Sequence, residues 1–240
     1  MNRCYITGSS RGIGHAIAQR LLKENDFYVT GISRTNTIIH PRYTHIFADL
    51  SKPSALSDIH FEAPEDGKKF ILINNSGELG EMEHIGGFDE DAFIYTMNLN
   101  LISPCLLMNK FIKVFKDAKA EKIILNISSG AGKNPVDGWG AYCSGKAGLD
   151  MFSMVADVEA KADRNGFKIY SLAPGIVDTK MQEQIRNAKE KSFSRKKEFV
   201  SLYENKLLSD THFVANKIFA ILAGFFVSEK VVFSINEITH

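Results

Sequence analysis

Short apolar runs alternate along this chain with stretches in which apolar residues recur every three or four positions. Arg3–Thr7 reads as a strand that Gly8 stops, and Ile13, Ala16, Ile17, Leu21 and Leu22 follow at helical spacing as far as Lys23. Phe27–Ser33 and Tyr43–Ala48 read as the next two strands. Lys69–Asn74 (KFILIN) and Glu121–Ile127 (EKIILNI) are almost continuous apolar runs, the pattern of strands covered on both faces. Phe167–Ala173 gives a sixth strand and Val231–Ile235 a seventh. Ala92–Phe115, Ala141–Ala162 and Thr211–Phe226 fall between them and read as helices.

Strands alternating with helices predict a parallel sheet with helices on both sides, an α/β, Rossmann-type, doubly wound fold. The 240 residues suit one such domain, and no repeat, linker or low-complexity tract divides them. One stretch breaks the rhythm. Residues 180–208 are rich in Lys, Arg, Glu and Gln and follow the sixth strand. They read as a solvated helical excursion or as a lid over substrate. Open α/β sheets bind ligands at the carboxyl ends of their strands, which favours the lid. The charge of the stretch argues against a buried element.

Composition adds mainly exclusions. Hydrophobic residues make up 44% and charged residues 24%, ordinary values for a globular protein. A net charge of +1 gives no sign of a nucleic-acid partner. The opening MNRCYITGSS runs straight into a strand without an apolar leader, and Phe213–Val227 is too short to span a bilayer. No membrane association and a cytoplasmic location are therefore expected. Cys4, Cys105 and Cys143 are widely spaced, which argues against a disulfide or zinc framework and for a reducing compartment. The seven histidines show no ligand spacing, so no metal site is expected.

The chemistry begins at Thr7-Gly8-Ser9-Ser10-Arg11-Gly12-Ile13-Gly14, between the first strand and the first helix. Glycines there permit a tight turn and let the backbone approach a phosphate, while the helix N-terminus offers free N–H groups and a positive dipole end. No Lys-Ser or Lys-Thr follows the last glycine, so this is not a nucleotide-triphosphate loop. After the second strand, where NAD-binding proteins often carry an acid against the ribose 2′-hydroxyl, the chain reads Ser33-Arg34-Thr35. Arg34, with Arg11 nearby, suits a 2′-phosphate instead, which points to NADPH (NADP+) as cofactor. Tyr142 and Lys146 stand four apart on one predicted helix face. A neighbouring ammonium lowers a phenol's pKa, so the pair fits proton exchange with a substrate oxygen near neutral pH. Ser129, at the end of the fifth strand, can stabilise charge on that oxygen; Ser128 competes for the role.

The spacing G-x-x-x-G-x-G resembles the short-chain dehydrogenase/reductase family, and further motifs follow in that family's order across essentially the whole chain. Asp49-Leu50 stands where the family contacts adenine. Asn74-Asn75-Ser76-Gly77 is similar to its N-N-A-G, with Ser in place of Ala. Asn100 matches its catalytic Asn, Ser129 its Ser, and Tyr142 and Lys146 its Y-x-x-x-K. Pro174-Gly175-Ile176-Val177-Asp178-Thr179 matches the segment that touches nicotinamide. The resemblance implies catalytic roles for Asn100, Ser129, Tyr142 and Lys146, with Asn100 holding a water that links Lys146 to solvent. It implies cofactor contacts at Gly8, Ser10, Arg11, Gly12, Ile13, Gly14, Arg34, Asp49, Leu50, Asn75, Gly77, Tyr142, Lys146, Pro174, Gly175, Val177 and Thr179. It also implies a homodimer or homotetramer, paired through Ala92–Phe115 and Ala141–Ala162.

Two stretches narrow the resemblance. Gly138-Trp139-Gly140-Ala141-Tyr142-Cys143-Ser144-Gly145-Lys146 and Asp178-Thr179-Lys180-Met181-Gln182 look like sepiapterin reductases and the related bacterial benzil reductases. That implies a small-molecule carbonyl substrate. The pterin-anchoring Asp that sepiapterin reductases carry near the C-terminus has no counterpart after Asp210, although Asn236 or Glu237 stands nearby. Benzil-type α-dicarbonyl reduction is therefore the leading expectation. The alternatives are pterin side-chain ketone reduction, an alcohol dehydrogenase acting on a hydroxysteroid or sugar, and an NADPH sensor without turnover. Trp139 and Phe193 read either as the lining of an aromatic pocket or as core.

Overall fold

The computed structural model describes residues 1–238. Its sheet is formed by β1 (Asn2–Thr7), β2 (Phe27–Ser33), β3 (Tyr43–Phe47), β4 (Lys69–Asn74), β5 (Glu121–Ile127), β6 (Phe167–Ala173) and β7 (Val232–Ser234). All pairings are parallel, in the order β3-β2-β1-β4-β5-β6-β7. The chain leaves β1 toward one edge, then crosses back so that β4 pairs with the other side of β1. The order reverses between these two strands, which opens a crevice at their carboxyl ends, beside Thr7 and Asn74.

Alternation within the strands sends side chains to two cores. Cys4, Ile6, Ile71, Ile73, Ile123 and Leu125 face α1 (Gly12–Leu22) and α7 (Thr211–Ala223). Tyr5, Phe70, Leu72, Ile124 and Ile169 face α3 (Ser103–Phe115) and α4 (Gly140–Ala162), where Phe111 and Phe115 are fully buried. Helix α7 ends on Gly224 at φ 83°, a left-handed position that glycine occupies without strain.

Three elements depart from the sequence expectation. The helix expected over Ala92–Phe115 is α2 (Glu90–Met97) and α3, joined by one π-helical turn over Asn98–Ile102. Nothing in the apolar spacing signals that turn. The seventh strand is shorter than Val231–Ile235, because Ser234 caps a 3-10 turn at Ile235–Glu237. Residues 180–208 contain α5 (Lys180–Arg186) and α6 (Lys196–Glu204) and are not simply solvated. Gln182, Ile185, Ala188, Ser192, Phe193 and Phe199 are buried. The charge of the stretch lies on the outer face of an amphipathic element, so it did not argue against burial of the inner one.

Candidate active site

The glycine turn is tied to the end of β4. Thr7 Oγ1 accepts the N–H groups of Asn75 and Ser76, both at 2.9 Å, and Asn75 Nδ2 donates to the carbonyls of Thr7 at 3.0 Å and Gly8 at 3.3 Å. Gly14 has no room for a side chain: a Cβ would stand 2.4 Å from Asn75 Nδ2 and 2.5 Å from the Gly8 carbonyl oxygen. Gly8 and Gly12 have φ of 69° and 58°, where other residues are strained. Arg11 precedes α1 with extended backbone and no side-chain cap, so the first N–H groups of α1 face the crevice. Ser10 accepts from Thr37 Oγ1 at 2.9 Å, and Ile13 packs into the first core. Thr179 Cγ2 lies 3.7 Å from where a Gly12 Cβ would be, so the Pro174–Thr179 segment comes over the turn. Pro174 and Val177 are buried and Gly175 is exposed at φ 78°.

The residues expected around the adenosine half lie at the ends of β2, β3 and β4. Arg34 is exposed and donates to Tyr95 Oη at 3.2 Å. Leu50 is buried. Burial pushes the Asp49 carboxyl up, but hydrogen bonds from Ser51 and the Arg34 charge bring it below its ordinary value. Glu78, which follows Gly77, was not anticipated. Burial raises its carboxyl against the pull of Arg34 and Arg11, so one acid sits among the two expected anion-binding cations. Glu78 also lines a cavity of about 360 Å³, with Glu81, Asp91, Tyr95, Thr96 and Gln184.

The π turn places Asn100 where it is fully buried. Its Oδ1 accepts the Glu78 N–H at 3.0 Å and its Nδ2 donates to the Glu78 carbonyl at 2.7 Å. A Cβ on Gly77 would stand 2.9 Å from Asn100 Oδ1 and 3.3 Å from Lys146 Nζ, so these three residues converge on one small space. Lys146 Nζ donates to the Ile127 carbonyl at 2.8 Å and stands 5.7 Å from the centre of the Tyr142 ring. Burial pushes the Lys146 ammonium down to about 8, and the Asp150 carboxylate acts in the opposite direction. Burial raises the Tyr142 hydroxyl and the Ser129 hydroxyl pulls it down; it ends above its ordinary value, opposite to the lowering expected from the neighbouring ammonium. Of the two serines, Ser129 is the one that acts on Tyr142. Ser128 Oγ is buried without a partner.

The cavity opens beside this cluster and not over Tyr142, whose ring meets Trp139 edge to face at 5.8 Å. Trp139 stacks on Phe193 at 5.3 Å, and Phe199 packs on both rings. Ser192 donates to Glu83 at 3.2 Å and Ser194 to Asp137 at 2.9 Å. Gly138, at φ 74°, lies against the Ser192 carbonyl. Residues 190–199 are thereby bound to the loop that leads into α4. Trp139 and Phe193 are core to this extent, although they also border Tyr142, and Trp139 Nε1 is buried without a partner. Glu237, a possible stand-in for a pterin anchor, already binds Lys230 at 2.8 Å and the Ser234 N–H at 2.8 Å.

Sequence reasoning missed Tyr95, Glu78 and Asp150. Asp150 alone carried a readable signal, since it repeats the four-residue spacing of Tyr142 and Lys146. Among the described residues, no group of three His, Cys, Asp or Glu is placed to hold a metal, and no helix is long and apolar enough to cross a membrane.

A doubly wound parallel sheet, a glycine turn at its switch point and a Tyr–Lys pair on the same rim define a Rossmann-type oxidoreductase. The chain belongs to the short-chain dehydrogenase/reductase family, whose description "short chain dehydrogenase" matches residues 2–190. It is an oxidoreductase acting on C=O and CH–OH groups. It is 37% identical over 234 residues to a benzil reductase ((S)-benzoin forming) of Bacillus cereus, covering 91% of this chain and 92% of that one. It is 31% identical over 205 residues to the sepiapterin reductase of Meriones unguiculatus, covering 76% of this chain and 77% of the relative. The structure of a short-chain dehydrogenase/reductase from Saccharomyces cerevisiae superposes with a TM-score of 0.84 at 28% identity, covering 99% of this chain and 97% of that one.

Proposed function

We propose that this protein is an NADPH-dependent carbonyl reductase that takes benzil-type α-dicarbonyls and uses Tyr142 as its proton donor. The observation that carries this reading is the convergence of Asn100, Gly77 and Lys146 beside Tyr142 and Ser129, at the carboxyl edge of the sheet. The residues present fit a dinucleotide. The uncapped start of α1 and the open position at Gly12 leave a backbone surface for a pyrophosphate, Gly8 and Gly14 let the turn close on the end of β4, and Arg34 with Arg11 suits a 2′-phosphate. Asp49, Leu50, Asn75, Pro174, Gly175, Val177 and Thr179 complete the groove; Asn75 does so through its backbone, because its side-chain amide is engaged by Thr7 and Gly8. When bound there, NADPH supplies the hydride.

Ser129 and Tyr142 hold the substrate oxygen from one side. As negative charge develops on that oxygen, the Ser129 hydroxyl stabilises it and the Tyr142 hydroxyl gives up its proton. Lys146 stabilises the phenolate left behind. Asn100, fixed by Glu78 on both sides of its amide, keeps the space beside Lys146 open for a water that returns the proton. Trp139 packs edge to face on the Tyr142 ring and is itself backed by Phe193, so the two hold the Tyr142 ring in place. Three free cysteines fit a cytoplasmic location.

The test is NADPH consumption against benzil, sepiapterin and simple ketones. Benzil is expected to turn over fastest. Sepiapterin preferred over benzil would move the assignment to the pterin reductases. NADPH binding without turnover on any carbonyl would make the protein a sensor.

A further inference from the structure

Asp150 is a buried carboxylate that the mechanism above does not use. It is 5% exposed and lies one helical turn beyond Lys146 on the inward face of α4. Its Oδ1 accepts from Ser171 Oγ of β6 at 2.6 Å, and its Oδ2 has no partner. Oδ2 lies against the turn that follows Ser129: a Cβ on Gly132 would stand 2.9 Å from it and 3.1 Å from the backbone of Lys146. A half-satisfied carboxylate in a protein interior costs free energy, and an apolar residue of similar size commonly fits such a place at least as well. Its presence therefore calls for a role beyond packing.

We propose that Asp150 is a positioning residue of the active site, whose buried carboxylate, held by Ser171 one helical turn from Lys146, supports the lysine in the proton relay to Tyr142. The inference rests on the reading of Lys146 as part of the proton relay. Among the described residues, Asp150 is the one charge acting on Lys146, and the lysine's contacts are neutral. The π turn contributes the neutral amide of Asn100, β5 the Ile127 carbonyl, the end of β4 the backbone of Gly77, and α4 the Tyr142 phenol. Glu78, the next acid along the chain, faces Arg34, Arg11 and Thr96 instead. Burial alone drives the ammonium toward deprotonation, and the Asp150 charge opposes that drift. Ser171 holds the carboxylate so that it acts through space on the ammonium and leaves Lys146 Nζ free to donate to Ile127.

The direct readout is titration of the lysine ε-methylene signals by NMR in protein labelled with ¹³C-lysine and free of cofactor, with Lys146→Met identifying the signal. The wild-type midpoint is expected at about 8. In Asp150→Asn it should fall by about one pH unit, and the alkaline limb of turnover in benzil reduction should move down with it. If Asp150→Asn does not fold, the double variant Asp150→Leu with Ser171→Ala removes both polar partners together, leaves neither unsatisfied, and predicts the same shift. A midpoint equal to that of the wild type in the folded variant overturns the inference and leaves the reading of the site intact. Wild-type turnover by Lys146→Met would instead overturn the reading of the site.

Discussion

At the residue scale, the chemistry depends on a few side chains taken out of water. Removing the Tyr142 hydroxyl leaves the ring packed on Trp139, so Tyr142→Phe should fold and bind NADPH as before. Its turnover should drop by roughly 10²–10⁴-fold, the usual contribution of a positioned acid. Equal activity in steady-state assays would remove Tyr142 as donor. Arg34→Asp should reverse the preference between NADPH and NADH, and an unchanged ratio of kcat/KM values would show that the arginine does not read the 2′-phosphate. Lys146 is depressed to about 8 in the folded state. A lysine depressed by burial opposes folding fully below its folded pKa, and the penalty fades as pH rises toward its unfolded value of roughly 10.4. The melting temperature of Lys146→Met relative to wild type should therefore decline steadily between these two pH values, and a constant difference would contradict the buried, depressed lysine. Tyr142 and Lys146 were legible because a four-residue spacing is a local property. The pairing of Arg34 with Tyr95 and the presence of Glu78 among the arginines were not. Each depends on contacts between segments far apart in the chain.

At the element scale, the strands and long helices were legible because burial on both faces of a sheet writes itself as apolar runs. The π turn was not, since one extra residue shifts the helical phase without changing composition. It turns Asn100 toward Gly77 and Lys146, where Gly145 presses within 3.0 Å of the Asn100 Cβ if given a side chain. Gly145→Ala should therefore lower turnover more than it lowers the melting temperature. A loss of stability with full activity would mean that Asn100 tolerates displacement. The segment after β6 misled for a different reason: its charges are many, while its buried residues are few and large. Phe193 is fully buried against Trp139. Phe193→Ala should destabilise the protein by about 3–5 kcal/mol in denaturant unfolding.

For the whole molecule, the doubly wound parallel sheet and the glycine turn after its first strand followed from the βα rhythm, whereas the strand order and assembly did not. Helix α4 exposes Met151, Phe152, Val155 and Val158, and Ile94 and Leu106 are exposed on α2 and α3. An apolar surface spread over these three helices marks a place for association. A homodimer or homotetramer paired through this face should lose sedimenting mass on Val155→Lys with Val158→Lys; an unchanged mass would place the contact elsewhere.

The α1–α7 layer carries a consequence for synthesis. Ala16, Ile17 and Leu21 share one core with Val214, Ile218 and Leu222, and Arg20 bonds Asn216 at 3.0 Å while lying 3.6 Å over the Phe219 ring. At roughly 5–20 residues per second, the ribosome needs roughly ten to forty seconds to reach α7 after completing α1. Throughout that interval α1 can pack only on β1 and β2, and the stripe that α7 will cover stays bare. The nascent chain is therefore a natural client for chaperones that shield apolar helices, and slowing of translation late in the message would lengthen its exposure. Helix α1 is made long before the helix that completes its cover.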